Sequence, residues 1–250
     1  MYSTGHTLHN VLFVTLITLY EYRQILESKT LWLNDNIINA AQRLLKKQYG
    51  IPGLQNTLLG HTCTFDVVGG LEFVQVLHSN NSHWLTISTI GCSYSTVKVY
   101  DSLYMKMPRS TIKQVCSLLA SSEPSITLQF EPSDRQLNGN DCGLFALAFC
   151  TALCAGKDPQ GLRFDQKTMR QHLLKCLTQG HMEPFPCKGI IQTAVAKTYQ
   201  IPIYCTCRTQ EAGNMVECER CREWYHQECV SVPEHVWKKG SIPWVCRYCS

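Results

Sequence analysis

Residues 136–150 read Gln-Leu-Asn-Gly-Asn-Asp-Cys-Gly-Leu-Phe-Ala-Leu-Ala-Phe-Cys, a short polar turn running straight into an apolar stretch. The pattern predicts a buried helix that carries Cys142 on its first turn and ends near Gly156. A helix N-terminus presents unpaired N–H groups and the positive end of a dipole, and both favour thiolate over thiol. Gln136, six residues upstream, offers a side-chain amide that could donate to an oxyanion forming beside the sulfur. Against this stands the ordinary fate of a free cysteine, which is to be a small buried hydrophobe.

Composition narrows the choices around that stretch. A chain of 250 residues holds one large domain or a medium and a small one. Its hydrophobic share of 44% is ordinary for a globular protein. A formal charge of +4 is too balanced for the footprint of a strongly basic nucleic-acid binder. Of the fifteen cysteines, eight are scattered and seven fall in close pairs between Cys205 and Cys249 with one histidine among them. Paired spacing with a histidine points to metal rather than disulfides, and so to a reducing compartment. Residues 11–19 are apolar, but no Lys or Arg precedes them and Tyr20-Glu21-Tyr22-Arg23 makes no small-residue cleavage site. The run is also too short to span a bilayer. Residues 1–18 are therefore read as an N-terminal extension, and no membrane partner is expected.

Upstream of the cysteine, Trp32-Leu33-Asn34-Asp35 opens a helical stripe of Ile37, Ile38, Ala41, Leu44 and Leu45, with Asn34 or Asp35 as N-cap and Gly50-Ile51-Pro52 as the stop. Residues 71–78, 84–90 and 96–100 read as three neighbouring antiparallel strands separated by Asn-Asn-Ser and Gly-Cys-Ser turns. Ser110 reads as the cap of a helix bearing Ile112, Val115, Cys116 and Leu119. A strand is expected over 125–130, and a final amphipathic helix over 165–177, stopped by Gly180. Strands gathered between flanking helices make an α+β domain. Residues 188–203 carry only a weak Ile/Ala/Val pattern and read as a linker. The segment 204–250 is too short to fold on a hydrophobic core alone.

A nucleophilic cysteine needs a base and a group to orient that base. The candidate bases are His61, His78, His83, His172 and His181. His83 starts a strand directly after a polar turn and is best placed; His78, at a strand end, is its main rival, and His172 reads as a surface residue. Asp101 ends the following strand, so a hairpin would bring it to the same end as His83. Its alternative role is that of a turn residue with Ser102.

Together these residues resemble the ubiquitin-like-protein-specific proteases, the Ulp/SENP group. Trp32-Leu33-Asn34-Asp35 ahead of a helix, His83-Trp84, Asp101 and Gln136…Asp141-Cys142-Gly143 match that group in order and spacing over residues 19–187. The resemblance implies a papain-like cysteine protease fold of the Ulp type. It implies His83 as general base, Asp101 as its orienting acid, Cys142 as nucleophile and Gln136 in the oxyanion hole. It also implies that Trp32 and Trp84 wall a narrow tunnel over the Gly-Gly tail of a ubiquitin-like modifier, and that Asp35 touches the modifier's body. The implied activity is that of a cysteine peptidase, a thioester-forming hydrolase, with no cofactor in this domain.

In the C-terminal segment the pairs Cys205/Cys207, Cys218/Cys221, His226/Cys229 and Cys246/Cys249 supply eight soft or borderline ligands, enough for two tetrahedral zinc sites with none left over. A histidine in fifth place and Trp244 two residues before the seventh ligand resemble a PHD finger. That resemblance implies a cross-brace, with Cys205, Cys207, His226 and Cys229 on one zinc and Cys218, Cys221, Cys246 and Cys249 on the other. It further implies a methyl-lysine cage at Tyr204, Met215 and Trp224, and a histone tail as partner that Glu217 and Glu219 could meet. Nucleic acid is the weaker expectation as a direct ligand. The finger implies a nuclear location, with the cytoplasm left open. The functional alternatives are a chromatin reader whose peptidase fold binds a modifier without turnover, and an acyltransferase built on the same Cys–His chemistry.

Overall fold

The computed structural model describes residues 19–190, 195–233, 236 and 243–250. The extension 1–18, with most of the apolar run 11–19, lies outside the described residues. The described part of the first helix, α1, covers 19–27. Helix α2, Asp35–Tyr49, is capped by Asn34, whose side chain accepts from the Ile37 N–H at 3.1 Å, and it closes on Gly50 at φ 65. Left-handed backbone at that position is what glycine tolerates without a side-chain clash. A single turn, α3 (Leu59–Thr62), precedes the sheet.

Strands β1 (Val74–Ser79), β2 (His83–Ser88) and β3 (Thr96–Tyr100) are antiparallel neighbours, as their alternation and turns predict. The first begins three residues later than the sequence suggests. Helix α4 (Arg109–Leu119) then carries the chain across to β4 (Ser125–Phe130), which lies parallel to β3. Ser110 is not the cap of α4. Pro108 takes that place, and the Ser110 hydroxyl donates instead to Asn80 Oδ1 at 2.7 Å. Helix α5 (Cys142–Cys154) follows, then β5 (Leu162–Phe164), α6 (Gln166–Gln179), β6 (Cys187–Ile190) and β7 (Lys197–Pro202).

The main sheet has the order β1-β2-β3-β4-β7, and β5 pairs with β6 in a separate ribbon. Each face of the main sheet is covered. On one side α5 packs with α2 and α6 around Val76, Trp84, Tyr100, Phe145 and Phe149. On the other, α4 covers Leu77, Ile87, Val99, Leu128 and Phe130. All thirteen residues of α5 are buried, and each large apolar side chain so covered contributes about 1.5–3 kcal/mol. The α+β class is thus observed, with α5 as its central helix.

Two features depart from the sequence reading. Residues 188–203 are not a bare connector, since β7 extends the sheet along β4, pairing Ser125 with Pro202 through Phe130 with Lys197. Its signal is weak because an edge strand buries one face only; Tyr199 and Ile201 face the core and their neighbours face water. A buried amide network also ties α2 to β1. The Gln42 amide donates to the Gln55 carbonyl at 2.9 Å, and its Oε1 accepts from the Val76 N–H at 3.1 Å.

Beyond β7, strands β8 (Met215–Glu217) and β9 (Trp224–His226) form a small ribbon around a separate miniature core of Tyr225, Trp244, Cys205, Cys218 and Cys246. Only two residues, Ile203 and Tyr204, separate β7 from the first cysteine pair. Arg208 fastens the segment to the sheet domain through the carbonyls of Ser121, at 2.9 Å, Ser122, at 3.1 Å, and Glu123. No helix among the described residues is long and apolar enough to cross a membrane.

Candidate active site and metal clusters

Helix α5 sets Cys142 on its first turn, where the N–H groups of Cys142 and Gly143 have no intrahelical acceptor. The hairpin β2–β3 brings the start of one strand and the residue after the other together. His83 Nε2 lies 2.8 Å from Asp101 Oδ1, and both side chains are buried. Asp101 also accepts from the N–H groups of Leu103 and Tyr104, at 2.8 and 2.9 Å, which fixes its carboxylate against the ring. Burial alone would discharge His83. The Asp101 hydrogen bond and Cys142 on the other side of the ring outweigh it, and the imidazole pKa is pushed up to about 9. Its Nδ1 is buried with no hydrogen-bond partner among the described residues, so that nitrogen is uncommitted. Tyr104 closes the site edge-on, its ring centroid 5.0 Å from that of His83.

Gln136 is buried next to this group. Its backbone N–H donates to the Ser102 carbonyl at 3.3 Å and its Oε1 accepts from the Ser102 hydroxyl at 2.6 Å. The amide nitrogen donates to the Asn138 carbonyl at 2.6 Å, which leaves one of its two N–H groups for another acceptor.

The two tryptophans differ. Trp32 is 49% exposed, whereas Trp84 is 2% exposed. Trp84 therefore does not wall an open tunnel. Its indole N–H donates to the Leu33 carbonyl at 3.0 Å and the His78 ring stacks on it at 3.9 Å, so both its polar handle and one face are already used. This also removes His78 as a base. It is held on Trp84, away from Asp101, and burial and then the neighbouring His61 pull its pKa down. His172 is half-buried rather than a surface residue, set against Phe185 with its Nε2 3.0 Å from the Glu183 carbonyl. Asp35 is half-buried at the start of α2, while His61 and His181 are exposed.

Leu33 gathers three separated motifs. Its carbonyl holds Trp84, and its side chain fills the space beside Gly143, where a Cβ would come within 2.9 Å of Leu33 Cβ. A glycine after the cysteine is thus a packing requirement of the tryptophan segment.

Arg170 on α6 is the residue that sequence reasoning missed. Its guanidinium grips Asp141 Oδ1 at 3.1 and 2.6 Å, and donates to the carbonyls of Ile25 at 3.1 Å and Leu31 at 2.8 Å. Asn138 and Gln166 donate to the other Asp141 oxygen at 2.7 Å each. One buried ion pair therefore fixes α1, the segment before Trp32 and the turn before Cys142. A signal existed, because Arg170 directly follows the buried Met169 and precedes Leu173 by one turn, on the margin of the apolar stripe. Arg170→Met should leave Asp141 as an uncompensated buried charge and lower stability by about 3–5 kcal/mol, measured by urea unfolding; a change below about 1 kcal/mol, the scale of a surface pair, would show that the pair is solvated.

In the finger the ligand atoms fall into two sets of four, each within 4.8 Å of one another: Cys205, Cys207, His226 and Cys229, and Cys218, Cys221, Cys246 and Cys249. This is the interleaved pairing expected of a cross-brace. His226 turns Nδ1 toward the cluster, 3.2 Å from Cys207 Sγ, and its Nε2 lies 2.9 Å from the Gln210 carbonyl. A hydrogen bond at the far nitrogen fixes the tautomer a metal-binding imidazole needs. Burial opposes ionisation of Cys205, but backbone N–H groups and its neighbours pull its pKa down to about 6. Donor type and grouping suit tetrahedral zinc.

The expected cage residues meet at one surface pocket, lined by Tyr204, Glu211, Gly213, Met215 and Trp224. The β8–β9 register places Met215, Glu217 and Trp224 on one face and Val216 and Tyr225 on the inner one. Arg222 lies 3.5 Å from Glu217 and 4.0 Å from Glu219, so these two carboxylates are already paired rather than waiting for a basic tail.

Residues 205–249 match the family model of the PHD finger. Among curated proteins, the chain is 59% identical over 29 residues to Multicopy suppressor of chk1 protein 1 of Schizosaccharomyces pombe, covering 12% of this chain and 2% of that protein. It is 47% identical over 49 residues to Protein ECM5 of Saccharomyces cerevisiae, covering 19% and 4%. It is 40% identical over 45 residues to Lysine-specific demethylase 5B of Gallus gallus, covering 18% and 3%. The chain thus spans only a few percent of the length of these relatives. Among solved structures, it is similar to the C-terminal Ulp1 protease domain in complex with Smt3, the yeast ortholog of SUMO, at 16% identity and a TM-score of 0.46, covering 65% of this chain and 94% of that one. It is similar also to the Xanthomonas campestris effector protein XopD bound to ubiquitin, at 15% identity and a TM-score of 0.38, covering 61% and 92%.

Proposed function

We propose that residues 19–187 form a cysteine peptidase that cleaves a ubiquitin-like modifier, SUMO or a relative, after its C-terminal Gly-Gly, and that residues 204–250 form a zinc-dependent finger that reads a histone tail. The observation that carries the first half is His83, held between Asp101 and the cysteine at the N-terminus of α5. An imidazolium beside a thiol at a helix N-terminus stabilises the thiolate twice over.

In this reading Cys142 Sγ attacks the carbonyl carbon of the modifier's last glycine. Negative charge builds on the carbonyl oxygen, met by the free first-turn N–H groups and the uncommitted N–H of Gln136. His83 gives its Nδ1 proton to the leaving lysine amine as the C–N bond breaks, which leaves a thioester on Cys142. The now neutral ring takes a proton from water, whose oxygen attacks the thioester and releases the free carboxylate. Trp32, exposed just ahead of α2, borders the approach, and a flat indole there favours residues without side chains. Asp35 meets the modifier's body.

The finger would hold two zinc ions, one on each ligand set, which supply folding energy. Tyr204, Met215 and Trp224 would surround a methylated lysine through cation–π attraction. Histone binding favours a nuclear location.

The test is incubation with SUMO and related modifiers bearing a thiol-reactive C-terminal group. A covalent adduct that disappears in Cys142→Ala is the expected result, and no adduct with any modifier would sink the peptidase. Cys142 is only 2% exposed, and that burial favours the second reading, a modifier-binding chromatin protein without turnover. Reversible binding with no adduct would select it.

A further inference from the structure

We propose that the finger's cage selects mono- and dimethyl-lysine over trimethyl-lysine, and that Glu211 makes the selection. This rests on the methyl-lysine reading of the same pocket. Three of its lining residues, Tyr204, Met215 and Trp224, are apolar or aromatic, and the one acidic residue among the others is Glu211. Trp224 is 42% exposed and carried on the outer face of the β8–β9 ribbon, so a lysine side chain can reach the pocket from solvent. The neighbouring acids do not compete for that role. Glu217 and Glu219 flank Arg222, whereas Glu211 forms no ion pair among the described residues.

The chemistry follows from hydrogen count. A purely aromatic cage favours the trimethylammonium ion, which presents the most apolar surface to the rings and needs no acceptor. A carboxylate in the wall changes the balance. Mono- and dimethylammonium keep an N–H that forms a charge-assisted hydrogen bond to it. Trimethylammonium has none, and covering the carboxylate then costs solvation that no hydrogen bond restores. Unmodified lysine has the N–H groups but remains strongly hydrated and gives the rings no methyl contact.

The test uses the zinc-loaded full chain and a panel of fluorescent histone-tail peptides, each lysine carried in its unmodified, mono-, di- and trimethyl forms. The best-bound site should prefer dimethyl to trimethyl by about tenfold, the scale of one charged hydrogen bond. In Glu211→Gln, with zinc content and thermal midpoint unchanged, the preference should shrink to about threefold or less, since a neutral amide is a weaker acceptor. Trimethyl binding equal to or tighter than dimethyl would overturn the selection and leave the cage reading standing. A preference that persists undiminished in Glu211→Gln would overturn the role of Glu211. Binding indifferent to methylation, or no binding by any peptide, would remove the cage reading and this inference with it.

Discussion

Asp101→Ala is expected to lower kcat/KM on a Gly-Gly-terminated modifier substrate by about 10⁴-fold, the scale seen when a catalytic histidine loses its orienting acid. The carboxylate does two things at once. Its three N–H contacts lock it in place, and its charge helps to hold the His83 pKa at about 9 against burial. The pH dependence then has a defined sign. A histidine whose folded pKa lies above its unfolded value of about 6.5 stabilises the protein fully below that value. That contribution is lost as pH rises through about 9. The imidazolium partner of the thiolate disappears over the same interval, so kcat/KM should fall on the alkaline side. In Asp101→Ala this limb should move toward neutral pH. A residual activity whose alkaline limb stays in place would show that Asp101 does not set the charge on His83.

Removal of zinc should have the larger effect on stability. The finger's own core is a handful of side chains around Tyr225, while each metal site contributes about 10–16 kcal/mol at neutral pH. Chelation should therefore collapse the amide signals of 204–250 in a heteronuclear NMR spectrum and abolish histone-peptide binding. The cores on the two sides of the main sheet are built almost wholly from residues before the finger, so the signals of β1–β4 and the reaction of Cys142 with a warhead should persist. A finger that keeps its dispersed signals after complete chelation would exclude this structural role for the metal.

What the sequence revealed divides by the range of the interactions involved. The Asn34 cap, the Gly50 stop and the Cys142 helix are local, and each is read from a few consecutive residues. The ligand pairs are equally local, and their grouping followed from the resemblance to a PHD finger. The juxtaposition of His83 and Asp101 required one hairpin, which the turn residues announce. Arg170 left only its place on the margin of an apolar stripe as a signal, since its partners lie 29, 139 and 145 positions away, and an arginine on an amphipathic helix ordinarily faces water. The burial of Trp84 was hidden likewise, because its acceptor on Leu33 is 51 positions distant. Edge strand β7, with one face wet, lacked the alternation that marks a covered strand.

That edge strand has a consequence for how reading and cutting would be joined. Two modules on a flexible tether sample a sphere, and the second meets its target at an effective concentration set by tether length. Here the tether has no slack. Strand β7 is stitched to β4 along its length, Tyr204 of the proposed cage comes two positions after it, and Arg208 ties the next loop back onto the sheet domain. The pair would behave as a ruler rather than a leash. A chain anchored at one lysine could process only conjugates at a fixed offset from it, and a few glycines inserted after Pro202 would trade that selectivity for reach.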